Sequence, residues 1–276
     1  MATLRDAVYG AAVGDALGVP FEFNGRGSFT CTDMVGHGTH DQPAGTFSDD
    51  TSMLLGLCDS LRENGGAVDI DDIRSRFRRW LSFGDYAVDG LVFDMGITVS
   101  RALRSGQGCC GERDNGNGSL MRTIPLAFTD ASNRAIRDVS GITHGHRISE
   151  DACVCFVRVA QALMRGAPLE DAIRANAPAA EEFEFLADVT TWPIDQVKSG
   201  GFVLDTLGAA FWCLANTDNY RDCVVTAVNL GSDTDTTACV AGALAGIVYG
   251  FDAIPAEWVA TLRGKDIIER CLFESC

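Results

Sequence analysis

Apolar residues in this chain recur at helical spacing almost from end to end, and that restricts the fold more than any other feature. Leu4, Ala7, Val8, Ala11 and Ala12 follow one another at intervals of three, one, three and one, which is one face of a helix. Continuing that stripe brings Asp15 onto the buried side, and Gly14, Gly18 and Pro20 are expected to end the helix. Met53, Leu54, Leu57, Cys58 and Leu61 make a second stripe. The spacing predicts further helices over 70–81, 93–103, 148–164, 169–176, 202–215 and 220–230, and a last one after residue 236. No alternating β-branched run marks a strand, and neither a linker nor a repeat divides the chain. The expectation is one all-α domain over residues 1–276.

Composition removes several functions. The net charge of −16 over 276 residues argues against nucleic acid as a partner, because a polyanion is repelled at long range. A small anionic ligand stays possible where a bound metal or clustered N–H groups reverse the local potential. Residues 1–6 lack the layout of a signal peptide. The most apolar stretch, Ala238 to Tyr249, is too short for the roughly 20 residues a bilayer requires, so no membrane insertion is expected. The 11 cysteines are odd in number and show no C-x-x-C pair. Cys58, Cys153 and Cys239 sit among apolar residues as small core side chains, and Cys109-Cys110 is a poor zinc spacing. A reduced, cytoplasmic protein is the expectation.

Two acidic turns share a grammar. Ser48-Asp49-Asp50-Thr51-Ser52 opens one apolar helix and Ser232-Asp233-Thr234-Asp235-Thr236-Thr237 opens another. Helix capping explains one such oxygen per helix. It does not explain paired carboxylates, which repel one another unless a cation lies between them. Asp233 and Thr236, at i and i+3, can face one point. An all-oxygen set suits Mg²⁺, Mn²⁺ or Ca²⁺ and not zinc. Glu22, after the Gly18-Val19-Pro20 turn, offers a further carboxylate. The longest irregular stretch, Ser105 to Ser119, is glycine-rich, as functional loops often are.

These segments, in order, resemble the ADP-ribosylglycohydrolase family, including its bacterial dinitrogenase-reductase-activating type. Gly14-Asp15-Ala16-Leu17-Gly18 with Glu22 resembles the N-terminal signature, and Phe47-Ser48-Asp49-Asp50-Thr51 the first metal turn. Gly116-Asn117-Gly118-Ser119-Leu120-Met121-Arg122 resembles the loop that holds the diphosphate of ADP-ribose, and Thr143-His144 the motif at the distal side of that ligand. Residues 201–207 and 231–236 resemble the C-terminal pair. The resemblance implies an orthogonal all-α bundle with a binuclear Mg²⁺ or Mn²⁺ centre. Its metal ligands would be Ser48, Asp49, Asp50, Asp233, Asp235 and Thr236, with Glu22 a mobile carboxylate beside them. Ser48 stands where Thr is common, and Phe202 where many members have Tyr.

The activity so implied is hydrolysis of the bond between ADP-ribose and a modified protein side chain, releasing ADP-ribose. Asn117, Gly118, Ser119, Met121, His144 and Phe202 would hold the ligand, with Phe202 stacking on adenine. Glu22, Asp50 and Asp235 would order two divalent cations and the attacking water, while Asp114 would face an arginine leaving group. Read without the resemblance, Asp114 is a solvated loop residue and Phe202 a core aromatic. A serine-linked substrate, a two-metal nucleotide phosphoesterase and a non-catalytic ADP-ribose binder are the alternatives.

Overall fold

The structure is a computed structural model and describes residues 2–274. Among the described residues there are twelve α-helices, joined by loops and short 3-10 turns: α1 (Leu4–Gly18), α2 (Asp49–Glu63), α3 (Ile70–Phe83), α4 (Ile97–Ser105), α5 (Asn133–Gly141), α6 (Arg147–Met164), α7 (Leu169–Asn176), α8 (Val203–Ala215), α9 (Tyr220–Asn229), α10 (Thr234–Tyr249), α11 (Ala256–Thr261) and α12 (Lys265–Cys271). Among the described residues there is no sheet, only isolated bridges at His37/Gln42, Cys109/His144 and Gly116/Phe202. The all-α expectation is met. No helix among the described residues is long and apolar enough to cross a membrane.

The helix ends follow local chemistry. Thr3 caps α1 in a reciprocal box with Asp6, and Asp69 accepts the Asp71 and Asp72 N–H groups at 3.0 Å to start α3. Gly84 and Gly106, both left-handed, close α3 and α4. The strongly amphipathic α3 buries only Ile73, Phe77 and Trp80. In contrast, α1 and α10 are buried nearly all round.

Those two helices are the axis of the molecule. Gly10 lies against Gly242, Gly14 against Ala238, and Gly18 against Asp235, so the pair runs antiparallel with backbones in contact. A Cβ at Gly14 would overlap the Ala238 carbonyl oxygen. The sequence expectation that Gly14 helps end α1 is therefore corrected. The helix continues to Gly18, and Gly14 serves as a flat surface for close packing.

Antiparallel packing sets the N-terminus of α10 beside the C-terminus of α1. The same end of α1 collects α2. The Asp15 carboxylate, fully buried, accepts hydrogen bonds from the Ser48 and Thr51 N–H groups at 2.9 and 3.0 Å and from the Thr51 hydroxyl at 2.6 Å. Two helix N-termini, each the positive end of its dipole, thus meet at one point. Opposite them, the 115–117 segment pairs with 201–203, through Asn117 N–H to Gly201 O (3.0 Å) and Val203 N–H to Asn115 O (2.9 Å).

A carboxylate centre beside a glycine-built wall

Both acidic turns converge. Ligand oxygens of Asp15, Asp50 and Asp235 lie within 4.8 Å of one another, as do those of Glu22, Asp233 and Asp235. Asp235 belongs to both sets. The Ser48 hydroxyl (3.0 Å) and the Thr236 hydroxyl (3.2 Å) each donate to Asp50 Oδ2, so the two turns touch. The Phe23 N–H to Ser232 O and Ser232 N–H to Asn24 O bonds, both 2.7 Å, hold Glu22 against the second turn. Phe23 and Ser232 adopt φ of 63° and 65°, a conformation that non-glycine residues rarely take and that costs about 1–2 kcal/mol each.

Capping does not account for these carboxylates. Asp233 occupies the N-cap position of α10 yet makes no capping bond; its Oδ2 accepts from Asn117 Nδ2 at 2.9 Å. Asp50 Oδ1, Asp233 Oδ1 and Asp235 Oδ2 are buried with no hydrogen-bond partner. Burial, with the charge of neighbouring carboxylates, holds the Asp49, Asp50 and Asp235 carboxyls well above the usual range, and burial raises Asp233 also. Buried, orphaned, mutually repelling oxygens supply the donor set that hard divalent cations take. The residues fit such ions. Asp15 contributes differently, since hydrogen bonds from α2 already engage its oxygens.

Glu22 is only 4% exposed, so it is not a surface loop glutamate. Burial pushes its carboxyl up to about 8, aided by Asp94 and Asp233 and opposed by a hydrogen bond from His40 Nε2. Glu22, His40 and Asp94 form a third group with ligand atoms within 4.8 Å of one another. Neither His40 nor Asp94 was expected here. The periodicity places Asp94 inside a helix from Phe93, but α4 begins at Ile97, and Asp94 precedes it with φ of 48°. An acidic residue followed by Met95-Gly96 and an apolar helix was the available signal.

Carboxylates line part of a cleft of about 360 Å³: Glu22, Asp49, Asp94 and Asp233, with Thr236. Gly116, Asn117, Gly118, Met121 and His144, none of them acidic, also line it, and Asn117 bonds Asp233 directly. Exposed Phe23 (70%) and Ile97 (84%) stand at its rim. A Cβ on Gly118 would come within 3.0 Å of His144 Cε1 and Val99 Cγ2, so glycine there lets the imidazole edge reach the cleft. Asn117–Arg122 is a 3-10 turn rather than open loop, and its start leaves the Gly118 N–H unbonded within the turn.

Other expected site residues lie elsewhere. The Ser119 hydroxyl points into the core, 2.9 Å from the Ser140 hydroxyl. Arg122, expected to flank the ligand loop, is completely buried behind it. Asp114 pairs with Arg101 and accepts the Gly111 N–H at 3.0 Å, outside the cleft lining. Its partial burial notwithstanding, the Gly111 N–H and Arg101 hold its carboxyl below the usual range. Phe202, 41% exposed, borders a neighbouring cavity of about 270 Å³ with Glu112, Arg113, Asn115 and Gly116. A larger apolar hollow of about 520 Å³ around Phe185 and Trp192 lies on the other side of Phe202 and lacks the acidic turns.

The carboxylate cluster gives a pH prediction. Glu22 (about 8) and Asp15 (about 6) hold their protons more tightly in the folded chain than in the unfolded one, where carboxyls titrate at about 4. The folded state binds the extra protons in that window, so stability of the metal-free protein declines as pH rises from about 4 to 8. Divalent cations compete with those protons. The melting temperature in chelator should fall across this range, and the gain on adding Mg²⁺ or Mn²⁺ should widen with pH. A gain that narrows with pH would contradict the assignment.

An all-helical scaffold that gathers orphaned carboxylates and a glycine-rich turn into one cleft fits a metal-dependent hydrolase, and comparison names its family. The chain matches the ADP-ribosylglycohydrolase family over residues 2–275 and belongs to it. It is 32% identical to the ADP-ribosylarginine hydrolase Tri1 of Pseudomonas putida (strain GB-1), covering 96% of this chain and 76% of that protein. It is 31% identical to the ADP-ribosyl-[dinitrogen reductase] glycohydrolase of Rhodospirillum rubrum, covering 94% and 90%. A solved ADP-ribosylglycohydrolase-related protein complex contains a chain of the same fold, with TM-score 0.79, 31% identity and coverage of 96% and 94%.

Proposed function

We infer that this enzyme uses divalent cations, Mg²⁺ or Mn²⁺, to hydrolyse the N-glycosidic bond between ADP-ribose and arginine side chains of modified proteins. The observation that carries this reading is the mixed lining of one cleft. Its carboxylates suit cations and ribose hydroxyls, and its Gly118 and His144 suit a diphosphate. ADP-ribose presents both chemistries in one molecule. The arginine linkage is supported by the named activity of the relatives above.

Ser48, Asp49, Asp50, Asp233, Asp235 and Thr236 are assigned to the cations, which when bound polarise the oxygens they hold and let the carboxylates coexist. Asn117, bridging Thr206 and Asp233 at 2.9 Å each, orients the second turn. In the reaction a water oxygen joins the anomeric carbon, the C–N bond breaks, and the departing guanidine nitrogen gains a proton. The Glu22–His40 pair is assigned to hold and move that proton. Asp94 lines the cleft without a hydrogen-bond donor of its own, and we assign it, rather than Asp114, to face the guanidinium. Phe202 is retained as the adenine platform.

With Mg²⁺ or Mn²⁺, arginine-linked substrate should release free ADP-ribose, and a matched serine-linked substrate should release far less. Release of inorganic phosphate instead would make the protein a phosphoesterase, and ADP-ribose binding without turnover would make it a binder. Asp94→Asn should cut turnover of the arginine substrate by about 10²-fold, whereas Asp114→Asn should change it less than threefold. The reverse order would return the role to Asp114.

A further inference from the structure

Arg122 is fully buried, yet among the described residues no carboxylate bonds its guanidinium. Nη1 donates to the Gly118 carbonyl, and Nη2 donates to Val139 O (3.3 Å) and to the Thr143 hydroxyl (2.9 Å). The guanidinium also lies 4.8 Å from the Phe77 ring centroid. Burial lowers its pKa only to about 10, so it remains a cation at neutral pH. The Thr143 oxygen in turn lies 2.9 Å from His144 Nδ1, and the His144 ring borders the cleft beside Gly116 and Gly118.

We propose that Arg122 and Thr143 are positioning residues that set the tautomer of His144, so that its imidazole presents Nε2–H to the anionic part of a ligand in the cleft. The ligand half of this proposal rests on the ADP-ribose reading above; the tautomer half does not. A hydroxyl has one proton and two lone pairs. Arg122 occupies one lone pair of Thr143 Oγ1. If His144 Nδ1–H occupied the second, the hydroxyl proton would be left in a fully buried place with no acceptor, a costly arrangement. With the proton directed to Nδ1, the Thr143 hydroxyl and Nδ1 are both satisfied and the ring proton falls on Nε2.

The backbone supports the same geometry. Cys109 N–H to Thr143 O and Gly145 N–H to Cys109 O, both 2.9 Å, clamp the segment on either side of His144. The Ser140 hydroxyl, at 2.9 Å, holds the His144 carbonyl. Burial, and then the charge of Arg122, push the imidazole down to about 3, so it stays neutral and its tautomer matters. Through Gly118 O, Arg122 also turns one loop carbonyl away from the cleft and toward itself.

The test is the ¹⁵N spectrum of the imidazole nitrogens in the intact Mg²⁺-loaded protein, with His144 assigned by His144→Gln. Wild type should show an unprotonated Nδ1 and a protonated Nε2 in the absence of ligand. Thr143→Val, which keeps shape and removes the hydroxyl, should mix or invert the tautomers. It should also raise the ADP-ribose Kd and the substrate KM by about tenfold or more, with kcat much less affected. Thr143→Ser should restore both readouts. Nδ1–H in wild type, or an unchanged tautomer in Thr143→Val, would overturn the proposal. If Thr143→Val does not fold, the wild-type spectrum and Thr143→Ser decide. A protein with the expected tautomer that fails to bind ADP-ribose would sink the ligand half and the functional reading together, while supporting the relay.

Discussion

Asp235→Asn should leave a folded protein that no longer holds its cations and that turns over ADP-ribosyl-arginine about 10²–10³-fold more slowly, or not measurably. Asp235 is the residue common to both interior oxygen sets, and its Oδ2 is buried without a partner. The substitution preserves volume and the Oδ1 bond from the Thr236 N–H (2.9 Å) but removes the charge. Its effect on stability should change sign with conditions. In chelator, removing a carboxylate that burial and its neighbours disfavour should raise the melting temperature. In saturating Mg²⁺ or Mn²⁺ the variant should melt below wild type, because ligand-linked stabilisation is lost. Calorimetric titration of Mn²⁺ and melting curves in both conditions check this. Wild-type metal stoichiometry in the variant would refute the centre, and destabilisation in chelator would refute the electrostatic account of the cluster.

The second large effect belongs to the scaffold. Gly14→Ala adds a single methyl, yet that methyl would overlap the Ala238 carbonyl oxygen, so α1 and α10 must separate along their contact. Overpacking a core typically costs about 1–3 kcal/mol. A loss at or above the top of that range is expected, because the obstacle is backbone and cannot rotate away. Gly25→Ala meets nothing within 4 Å and should change stability by less than about 0.5 kcal/mol. Urea unfolding of both variants gives the comparison. Separation of α1 from α10 also pulls Asp15 from the second acidic turn, so Gly14→Ala should weaken cation affinity without touching a ligand. Equal stability of the two variants would mean that the crossing relaxes easily.

Legibility differed by segment. The Ile70, Arg147 and Leu169 helices lie within a residue or two of where apolar spacing puts them, because packing against a common core imposes the 3.6-residue period. The acidic turns stood out because two carboxylates exceed what a cap requires. Asn133–Gly141 and the two short helices near the C-terminus carry too few apolar positions for a clear stripe, and they were not expected. Asp94 comes from an irregular segment and His40 from a single 3-10 turn, both too short to show a period, so only the folded chain brings them to Glu22. Gly10, Gly14 and Gly18 recur at an interval of four, but Gly14 and Gly18 also read as helix terminators. Only knowledge of a facing glycine-bearing helix separates the two meanings.

By itself, then, the sequence determined an all-helical chain, two carboxylate-rich helix starts and a glycine loop, since each depends on neighbours within a few residues. The tertiary structure decided which oxygens are orphaned, that Arg122 stands behind the loop rather than at the ligand, and that Asp94 and not Asp114 lines the cleft. Those outcomes depend on burial and on partners far along the chain. Asp15 meets Ser48 and Thr51 over 33 and 36 positions, and Asp50 meets Thr236 over 186. Electrostatics at such a centre is set by distance in space and by exclusion of water, neither of which residue order records.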